Sequence, residues 1–402
     1  MSKAMGCKRF NIFLLMLSVL AITACEGSAG WETGPTAEPT AEPTAVPSTE
    51  PTAEPTTEPS AEPTPQISVT SLHAEADFPI GVGVPAGNAS NSLIDSLDRQ
   101  QIVNAHFSQI TAENIMKPDA LHPAEDDYFW DDAVALVDYA AVNGMSVHGH
   151  TLIWHNQIPT WMSNHTGTAE QWTTMMQTHI NTIVGRFADT AAVVSWNVVN
   201  EAFTDDAPSV YRNTLWFSNI GEDYFAQAFT AARAADEDAD LYYNDVRLEL
   251  NGSKMNRVVT MIEAFKANGT PIDGIGFQMH VSLTSPEKTA IESAFARVVN
   301  LGLKVKITEM DVTVNDDKSL SALALDTELA QAARYQEIVK AYMDAVPAAQ
   351  RGGISVWGIT DDDSGLPELH QRDEWPLLFN ANFTPKHALQ GFADGLVGGG
   401  SE

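Results

Sequence analysis

The stretch VVSWNVVN, residues 193–200, decides the fold of this chain together with the segments that follow it. It is a short apolar run with the length and composition of a buried β-strand. An amphipathic helical pattern follows at Tyr224–Ala235, and a second apolar run follows at Leu241–Asn244. A strand, a helix and another strand in this order form a parallel β-α-β unit.

The same unit repeats throughout residues 67–396. The predicted strands are Ile80–Val84, Phe107–Ala112, Ser146–Trp154, Val193–Asn200, Leu241–Asn244, Gly274–Val281, Lys304–Val312 and Gly353–Thr360. The helical patterns between them include Asp132–Asn143, Ala169–Arg186, Tyr224–Ala235, Ser253–Asn268, Pro286–Leu301 and Thr327–Ala345. Eight such units predict an α/β fold of the (β/α)8 barrel type, with one core and one catalytic face.

The competing architecture is an open, doubly wound sheet. Such a sheet favours a glycine-rich phosphate loop after its first strand. Here Gly81-Val82-Gly83 continues without a third glycine or an acidic partner, so the barrel is the favoured prediction.

Polar side chains accumulate where the predicted strands end, which is where barrel enzymes carry their chemistry. They are Glu113, Asn114 and Lys117 after the second strand, His148, His150, Trp154, His155 and Gln157 on the third, and Asn200 and Glu201 at the end of the fourth. Later strands contribute Gln278, His280, Glu309, Asp311 and Trp357. Because alternate residues of a strand face the same side, Gln278 shares a side with His280, and Glu309 with Asp311.

This set of residue types is typical of a carbohydrate site. Sugars present many hydroxyl groups and apolar ring faces, so they are bound by amide and carboxylate side chains together with aromatic rings. A phosphate ligand would require an arginine cluster or a glycine nest, and neither is present in the sequence.

The charge of the chain excludes other classes of partner. It has 22 Lys and Arg against 53 Asp and Glu, a formal net charge of −31. Nucleic acids and anionic lipid head groups both require a basic surface. We therefore expect no nucleic-acid partner and no electrostatic docking on a membrane.

The first residues predict an export signal. Lys3, Lys8 and Arg9 precede the apolar run 12–22, which is too short for a permanent membrane span and has the length of a secretory signal core. The run ends in Ile22-Thr23-Ala24-Cys25, which resembles a bacterial lipobox with Cys25 as the lipidated residue. The alternative is an ordinary cleavage site with a chance cysteine. We expect residues 1–24 to be the signal and the mature protein to be a lipoprotein held at a membrane through Cys25 alone, or otherwise secreted.

Residues 25–66 predict a linker. From Pro35 to Pro63 a proline occurs at every fourth position, with Thr and Glu filling most of the gaps. Such a segment cannot bury a core and favours extended polyproline II conformations. It therefore predicts a tether ahead of a single catalytic domain at residues 67–396, with residues 397–402 as a flexible tail.

Seven short sequence motifs at or near the ends of the predicted strands indicate a family. They are Thr111-Ala112-Glu113-Asn114-Ile115-Met116-Lys117-Pro118, His150-Thr151-Leu152-Ile153-Trp154-His155, Trp196-Asn197-Val198-Val199-Asn200-Glu201-Ala202, Gly276-Phe277-Gln278-Met279-His280, Ile307-Thr308-Glu309-Met310-Asp311, Val356-Trp357-Gly358 and Pro376-Leu377-Leu378-Phe379. In this order they resemble family 10 glycoside hydrolases, the endo-β-1,4-xylanases. The resemblance covers about residues 78–394.

The resemblance implies retaining hydrolysis of β-1,4-xylan, with Glu201 as the general acid/base and Glu309 as the nucleophile. It implies that Asn200 binds the 2-hydroxyl group beside the reaction centre and that His280 and Asp311 hold Glu309. The implied substrate contacts on the non-reducing side are Glu113, Asn114, Lys117, His150, Trp154, Gln157 and Gln278, with Trp357 as an aromatic wall. It implies no cofactor and no metal, and we take a monomer as the default state.

Two positions depart from the family pattern. Gly365 stands where the family usually has a second tryptophan, and Trp375 is a candidate to replace that ring. Val246-Arg247 follows Asn244-Asp245 where Tyr-Asn is common, in a segment that the family uses for leaving-group contacts. We therefore expect low activity, or a preference for decorated or short chains.

Two rival functions remain open from the sequence. His148-Gly149-His150 suits the ligand pair of a metal-dependent barrel hydrolase, although it leaves Asn200-Glu201 unexplained. The missing ring at Gly365 suits a weakly active or non-catalytic protein that captures polysaccharide at a cell surface. Loss of activity with a chelator would favour the first, and binding without products would favour the second.

Overall fold

The structure is a computed structural model that describes residues 66–397. The predicted signal, Cys25, most of the linker and residues 398–402 lie outside the described residues. Val397, which the sequence analysis assigned to the tail, is the last residue of a helix. No helix within residues 66–397 is long and apolar enough to cross a membrane.

In the described part of the chain nine short strands run in one parallel direction, and most of their residues are buried. In chain order they are β1 Ile80–Val84, β2 Gln109–Ala112, β3 Ser146–Gly149, β4 Val193–Asn200, β5 Asp240–Asp245, β6 Gly274–Phe277, β7 His280–Ser282, β8 Lys304–Thr313 and β9 Arg351–Val356. Parallel strands that are covered on both faces read as continuous apolar runs, which is why the sequence pattern located them.

The strand order closes into a barrel. Each strand from β1 to β5 pairs with the next, β6 pairs with β8, β8 with β9, and β9 returns to β1. The short β7 continues the line of β6 and also pairs with β8. The predicted (β/α)8 barrel is therefore confirmed, and an open sheet is excluded because the pairings form a closed ring in which β1 to β6, β8 and β9 each have a partner on both sides.

Helices surround the barrel and connect its strands. They are α1 Leu97–His106, α2 Pro118–Leu121, α3 Asp131–Val142, α4 Thr160–Ser163, α5 Ala169–Phe187, α6 Leu215–Ile220, α7 Tyr224–Ala235, α8 Ser253–Asn268, α9 Lys288–Asn300, α10 Leu325–Ala345, α11 Leu366–His370 and α12 His387–Val397. Their apolar faces pack on the outer side of the barrel in one hydrophobic core.

Several predicted strands extend beyond the observed ones, most of all the third. The third was expected to reach Trp154, but β3 ends at Gly149, and residues 150–154 form a loop whose apolar members Leu152 and Ile153 are still buried. The backbone nitrogens of these two residues donate to Asn197 O and Val198 O at 3.0 Å each, so β4 holds the loop. An apolar run alone does not distinguish a strand from a buried loop.

The interior of the barrel is polar at its centre. Lys306 is buried, and its ammonium group donates to the side-chain oxygen of Gln109 and to Gly352 O at 3.2 Å. Burial lowers the pKa of Lys306 to about 7, because the charged form loses its hydration.

Candidate active site

Two glutamates stand at the carboxyl ends of opposite strands. Glu201 follows β4 directly, with its backbone in the left-handed region at φ 52°. Its backbone nitrogen donates to Asn244 O at 2.9 Å, and Arg212 Nε donates to its carbonyl at 3.0 Å. Glu309 lies within β8 and is 5% exposed. The barrel therefore brings to one face two carboxylates that are far apart in sequence.

Glu309 is held by a donor and a cation. Asn244 Nδ2 donates to Glu309 Oε1 at 2.7 Å, and His280 Nε2 lies 3.5 Å from Glu309 Oε2. Asn244 is itself oriented by Thr308, whose hydroxyl group donates to Asn244 Oδ1 at 2.7 Å. Gly276 on the adjacent strand leaves room for Asn244, because a Cβ atom there would lie 2.3 Å from Asn244 Oδ1. These contacts hold one oxygen of Glu309 in place and put a cation beside the other.

His280 is paired with a second carboxylate. Its Nδ1 atom lies 2.7 Å from Asp311 Oδ2, and Asp311 is 2% exposed. Burial opposes protonation of His280, but Asp311 and Glu309 outweigh it and hold its pKa well above the usual range. His280 is therefore an imidazolium between two carboxylates.

Glu201 has different neighbours. Gln278 Nε2 donates to Glu201 Oε1 at 2.9 Å, and His155 Nδ1 lies 3.9 Å from Glu201 Oε2. The Glu201 side chain is 17% exposed, against 7% for Glu309. Burial and Arg212 lower the pKa of His155 more than Glu201 raises it, so His155 is neutral. Glu201 thus contacts neutral donors and reaches solvent, whereas Glu309 faces a cation.

Asn200 lies between the two carboxylates and an indole ring. Its buried side-chain amide is 2.9 Å from Asn244 Nδ2 and 3.2 Å from Trp154 Nε1. Asn200 therefore lies in the same group of side chains as Gln278, which contacts Glu201, and Asn244, which contacts Glu309.

A second group of side chains lies on the loops that follow β2 and β3. Lys117 Nζ is 3.3 Å from Asn114 Oδ1 and 5.0 Å from the centre of the Trp154 ring, while Gln157 Nε2 also donates to Asn114 Oδ1 at 3.3 Å. Burial lowers the pKa of Lys117, partly offset by nearby carboxylates that include Glu309. Burial, reinforced by Asp363, raises the pKa of Glu113 to about 8.

His150, which follows β3, and Trp357, which follows β9, contact each other and form one wall of the site. His150 is buried, its Nδ1 atom is 3.0 Å from Asn197 Nδ2, and its ring centre is 5.4 Å from that of Trp357. Gly83 in β1 makes this arrangement possible, because a Cβ atom there would lie 2.9 Å from the Trp357 ring. The structure therefore brings every sequence-predicted site residue in the described range to the same end of the barrel.

A cavity of about 820 Å³ adjoins Glu309 beyond His280 and Asp311. Its wall includes Trp357, Arg247 and Gly365. The expectation that Trp375 replaces the missing ring is wrong for this cavity, because Trp375 lines a separate cavity beside Asp361. The ring position at Gly365 is open, since a Cβ atom there would meet no heavy atom within 4 Å.

The metal-ligand reading of His148 and His150 does not match their contacts. His148 Nδ1 lies 2.7 Å from Ser195 Oγ, and its Nε2 lies 3.0 Å from Asn197 Oδ1. Both ring nitrogens are thus engaged, as expected for a packed strand histidine. Burial lowers the pKa of both histidines well below the usual range.

The sequence analysis missed the role of Asn244 and Thr308. Asn244 was assigned to leaving-group contacts, but its side chain is fully buried against Glu309. A polar residue at the end of a predicted strand was the available signal for Asn244, and Thr308 directly precedes Glu309. Their alignment depends on the pairing of distant strands, which the sequence pattern alone does not reveal.

A parallel barrel with two carboxylates at the ends of opposed strands, set among amide and aromatic side chains, defines a class of carbohydrate-cleaving hydrolases. The model of glycosyl hydrolase family 10 matches residues 70–395. The chain therefore belongs to glycosyl hydrolase family 10.

Its relatives include proteins named as endo-1,4-beta-xylanases. Endo-beta-1,4-xylanase Xyn10C of Cellvibrio japonicus is 44% identical over 81% of this chain and 57% of its own length. Endo-1,4-beta-xylanase A of the same species is 42% identical over 80% of this chain and 56% of its own. The chain thus spans little more than half the length of these two relatives.

Solved structures agree with this assignment. A mutant of Xylanase10C from Cellvibrio japonicus in complex with xylopentaose is 42% identical, with a TM-score of 0.81, and the match covers 82% of this chain and 70% of that one. The native enzyme aligns with the same TM-score of 0.81.

Proposed function

We propose that this protein is an endo-acting retaining hydrolase of β-1,4-xylan. The observation that carries the proposal is the unequal pair of carboxylates, Glu309 beside a cation and Glu201 among neutral groups. The relatives named as endo-1,4-beta-xylanases and the structure that contains xylopentaose support the choice of substrate.

The contacts of the two glutamates support different roles in the first step. Glu309 is the nucleophile, because the Asn244 amide and the His280 cation lie beside its carboxylate and hold it in place. Glu201 is the general acid that protonates the leaving oxygen, because the one basic side chain within 4 Å of its carboxylate in residues 66–397 is His155, whose pKa is lowered by burial. A covalent glycosyl-enzyme forms at Glu309 as the bond to the leaving sugar breaks.

In the second step a water molecule replaces the leaving sugar. Glu201 now accepts a proton from that water, which attacks the anomeric carbon and releases Glu309 with overall retention of configuration. Asn200, which lies 2.9 Å from Asn244 Nδ2, bonds the sugar 2-hydroxyl group, a contact that strengthens in the transition state. Retaining enzymes of this kind hold the two carboxyl groups about 5–5.5 Å apart.

The side chains after β2 and β3 supply the binding site on the non-reducing side. Asn114, Lys117 and Gln157 present hydrogen-bonding groups, and Trp154 and Trp357 present aromatic faces for the sugar rings. The neutral form of Glu113 at pH 7 adds a hydroxyl donor there.

The decisive experiment follows anomeric protons by NMR during hydrolysis of soluble xylan, with Glu309→Ala as the paired variant. Early β-anomers from the parent and no products from the variant are expected. Early α-anomers would overturn the retaining mechanism and the nucleophile assignment. Tight binding with no products from the parent would instead favour a polysaccharide-capturing protein.

We also propose that Cys25 carries a lipid after export, on the evidence of the sequence Ile22-Thr23-Ala24-Cys25. In a bacterial host, the parent should incorporate labelled palmitate and sediment with membranes. Cys25→Ala should abolish both. Labelling that persists in the variant would refute Cys25 as the lipidation site.

A further inference from the structure

A pair of buried histidines connects two loops beside the active site. His122 follows α2 directly, and its Nδ1 atom lies 2.9 Å from Nδ1 of His179 in α5. The Nε2 atom of His122 lies 3.0 Å from Glu125 O, and the Nε2 atom of His179 lies 3.1 Å from Leu152 O. His122 is 2% exposed, and His179 is fully buried. The two rings therefore form a continuous chain of polar contacts from the loop after α2 to the loop after β3.

The three contacts of this histidine pair need three protons. A backbone carbonyl only accepts hydrogen bonds, so each Nε2 atom must donate to its carbonyl and one more proton must lie between the two Nδ1 atoms. Two neutral imidazole rings carry two protons, so a neutral pair leaves one of the three contacts without a hydrogen bond. One added proton satisfies all three. The geometry thus matches one imidazolium ring and one neutral ring.

The surroundings of His122 attract a positive charge. The Tyr128 ring stacks on the His122 ring with 3.8 Å between their centres, and an aromatic face attracts a cation. Burial lowers the pKa of His122, but the hydrogen bond to Glu125 O and the carboxylates of Glu125, Asp126 and Asp127 oppose this effect. We therefore expect the histidine pair to be neutral at pH 7 and to gain its third proton in mildly acidic solution.

His179 keeps its neutral form. Burial and the neighbouring His122 lower the pKa of His179 to about 3, so its Nδ1 atom remains able to accept a hydrogen bond. His122 borders a cavity of about 410 Å³, whose wall also includes the titratable side chains of His165 and Glu170. His122 is therefore the ring that takes up a proton from solvent as the pH falls.

Both ends of the chain of contacts lie on segments that belong to the proposed binding site. His122 N donates to Pro118 O at 3.0 Å, and Pro118 directly follows Lys117. Leu152 lies two residues before Trp154, whose ring centre is 5.0 Å from the Lys117 ammonium group. A shift of one loop against the other therefore changes the distance between Lys117 and Trp154.

We propose that His122 and His179 form a pH-dependent link that positions the two loops which bind the non-reducing side of the sugar chain. The proposal concerns the regulation of the proposed xylanase site and rests on that function. A solvent proton bound to His122 completes the three hydrogen bonds and holds the loops together, and its release leaves one contact unbonded. The two histidines act through Lys117 and Trp154, so they are positioning residues. Affinity for the sugar chain should increase as His122 becomes protonated.

The first test follows the ring nitrogens of both histidines by 15N NMR in the full chain. The two nitrogens of a neutral imidazole differ strongly in chemical shift, whereas those of an imidazolium are similar. As the pH falls below 6.5, His122 should change from the first pattern to the second, and His179 should stay neutral with its proton on Nε2. A His122 that stays neutral down to the pH of unfolding, or two rings that become charged together, would overturn the proposal.

The second test measures the binding of xylohexaose by titration calorimetry as a function of pH. A Glu309→Gln background prevents hydrolysis and removes the titration of Glu309. The dissociation constant should fall about threefold as His122 becomes protonated, which is within the range in which residues remote from a ligand alter its binding. The additional substitution His122→Gln keeps a donor towards His179 but does not titrate, so this threefold change should be missing from its pH profile.

His165→Gln in the same background is the matched control. His165 is another histidine in the wall of the cavity that His122 borders, but it takes no part in the contacts between His122 and His179. Its removal also eliminates one titrating imidazole, and the pH profile of binding should follow that of the parent. If the threefold change is lost in this variant as well, the effect arises from charge around the cavity and the proposed link is refuted.

The outcomes separate this proposal from the proposed function. The same pH dependence of binding with His122 and with His122→Gln overturns the role of the histidine pair and leaves the xylanase function intact. Absence of xylohexaose binding at every pH overturns the proposed function, and the regulatory role of the histidine pair with it.

Discussion

Replacing Asp311 by asparagine should lower the pKa of His280 by about one to two units. Asp311 Oδ2 lies 2.7 Å from His280 Nδ1 in a largely buried pair. A hydrogen bond to a charged group contributes about 1.5–3 kcal/mol, and one pKa unit corresponds to about 1.4 kcal/mol. The desolvation that opposes protonation of His280 is unchanged by the substitution, so the protonated form becomes much less favoured.

The raised pKa of His280 in the parent determines how Asp311→Asn changes the dependence of stability on pH. His280 has a raised pKa in the folded protein, so its charge adds stability at low pH, and this stability is lost as the pH rises through the folded-state pKa. In Asp311→Asn that loss should occur at lower pH. The activity should also decline at lower pH on the basic side, because the cation beside Glu309 is lost earlier.

The assay is a titration of the His280 ring nitrogens by NMR, together with kcat/KM as a function of pH. The control is Asp316→Asn, which removes a carboxylate that pairs with Arg372 and lines the same cavity. It should leave the His280 midpoint nearly unchanged. A parent His280 that titrates near 6.5, or equal shifts in both variants, would refute the assignment of His280 as a cation held by Asp311.

Three further changes have defined outcomes. Between pH 7 and pH 10 the unfolded chain keeps a proton on Lys306 that the folded protein has released, so the free energy of unfolding should increase with pH. Lys306→Met should abolish this part of the increase, as measured by urea denaturation at several pH values. An unchanged slope would contradict the lowered pKa of Lys306. Glu113→Gln should have the same KM for xylohexaose as the parent at pH 6–7. Above pH 8 the KM of the parent should rise, because ionisation of Glu113 weakens binding, whereas the KM of the variant should remain constant. Identical profiles of KM against pH would rule out a protonated Glu113. Gly83→Ala should displace the Trp357 ring and raise the same KM by about threefold to tenfold, the value of one aromatic contact, and an unaltered KM would argue against that wall.

The sequence predicts the strands well where they are continuous apolar segments. β1 and β4 have the expected bounds, because both are apolar runs that the parallel barrel buries almost completely. The sixth strand was expected to continue from Gly274 to Val281, but it is interrupted at Gln278 and Met279, with Met279 at φ 63°. A single left-handed residue inside an apolar run has no composition signal unless it is glycine.

The site was predictable to the extent that its residues end strands. Glu201 and Glu309 are identified by position and motif, but Asn244 and Glu309 are 65 residues apart, and their 2.7 Å contact depends on three-dimensional alignment. For Trp375 the sequence suggested a contact that the structure does not contain. Trp375 is close to Gly365 in sequence, but the loop directs it into another cavity. Proximity along a loop does not determine which side of that loop a side chain occupies.

The glycines of the barrel wall have a consequence for engineering. Gly276 gives space to Asn244, and Gly83 gives space to Trp357, so each functional side chain depends on the absence of a side chain in the neighbouring strand. Recombination between homologues that exchanges one strand of such a pair would place two bulky groups in one volume or leave a gap. Crossover points in a chimeric library should therefore keep β5 with β6, and β1 with the segment after β9, as inherited blocks.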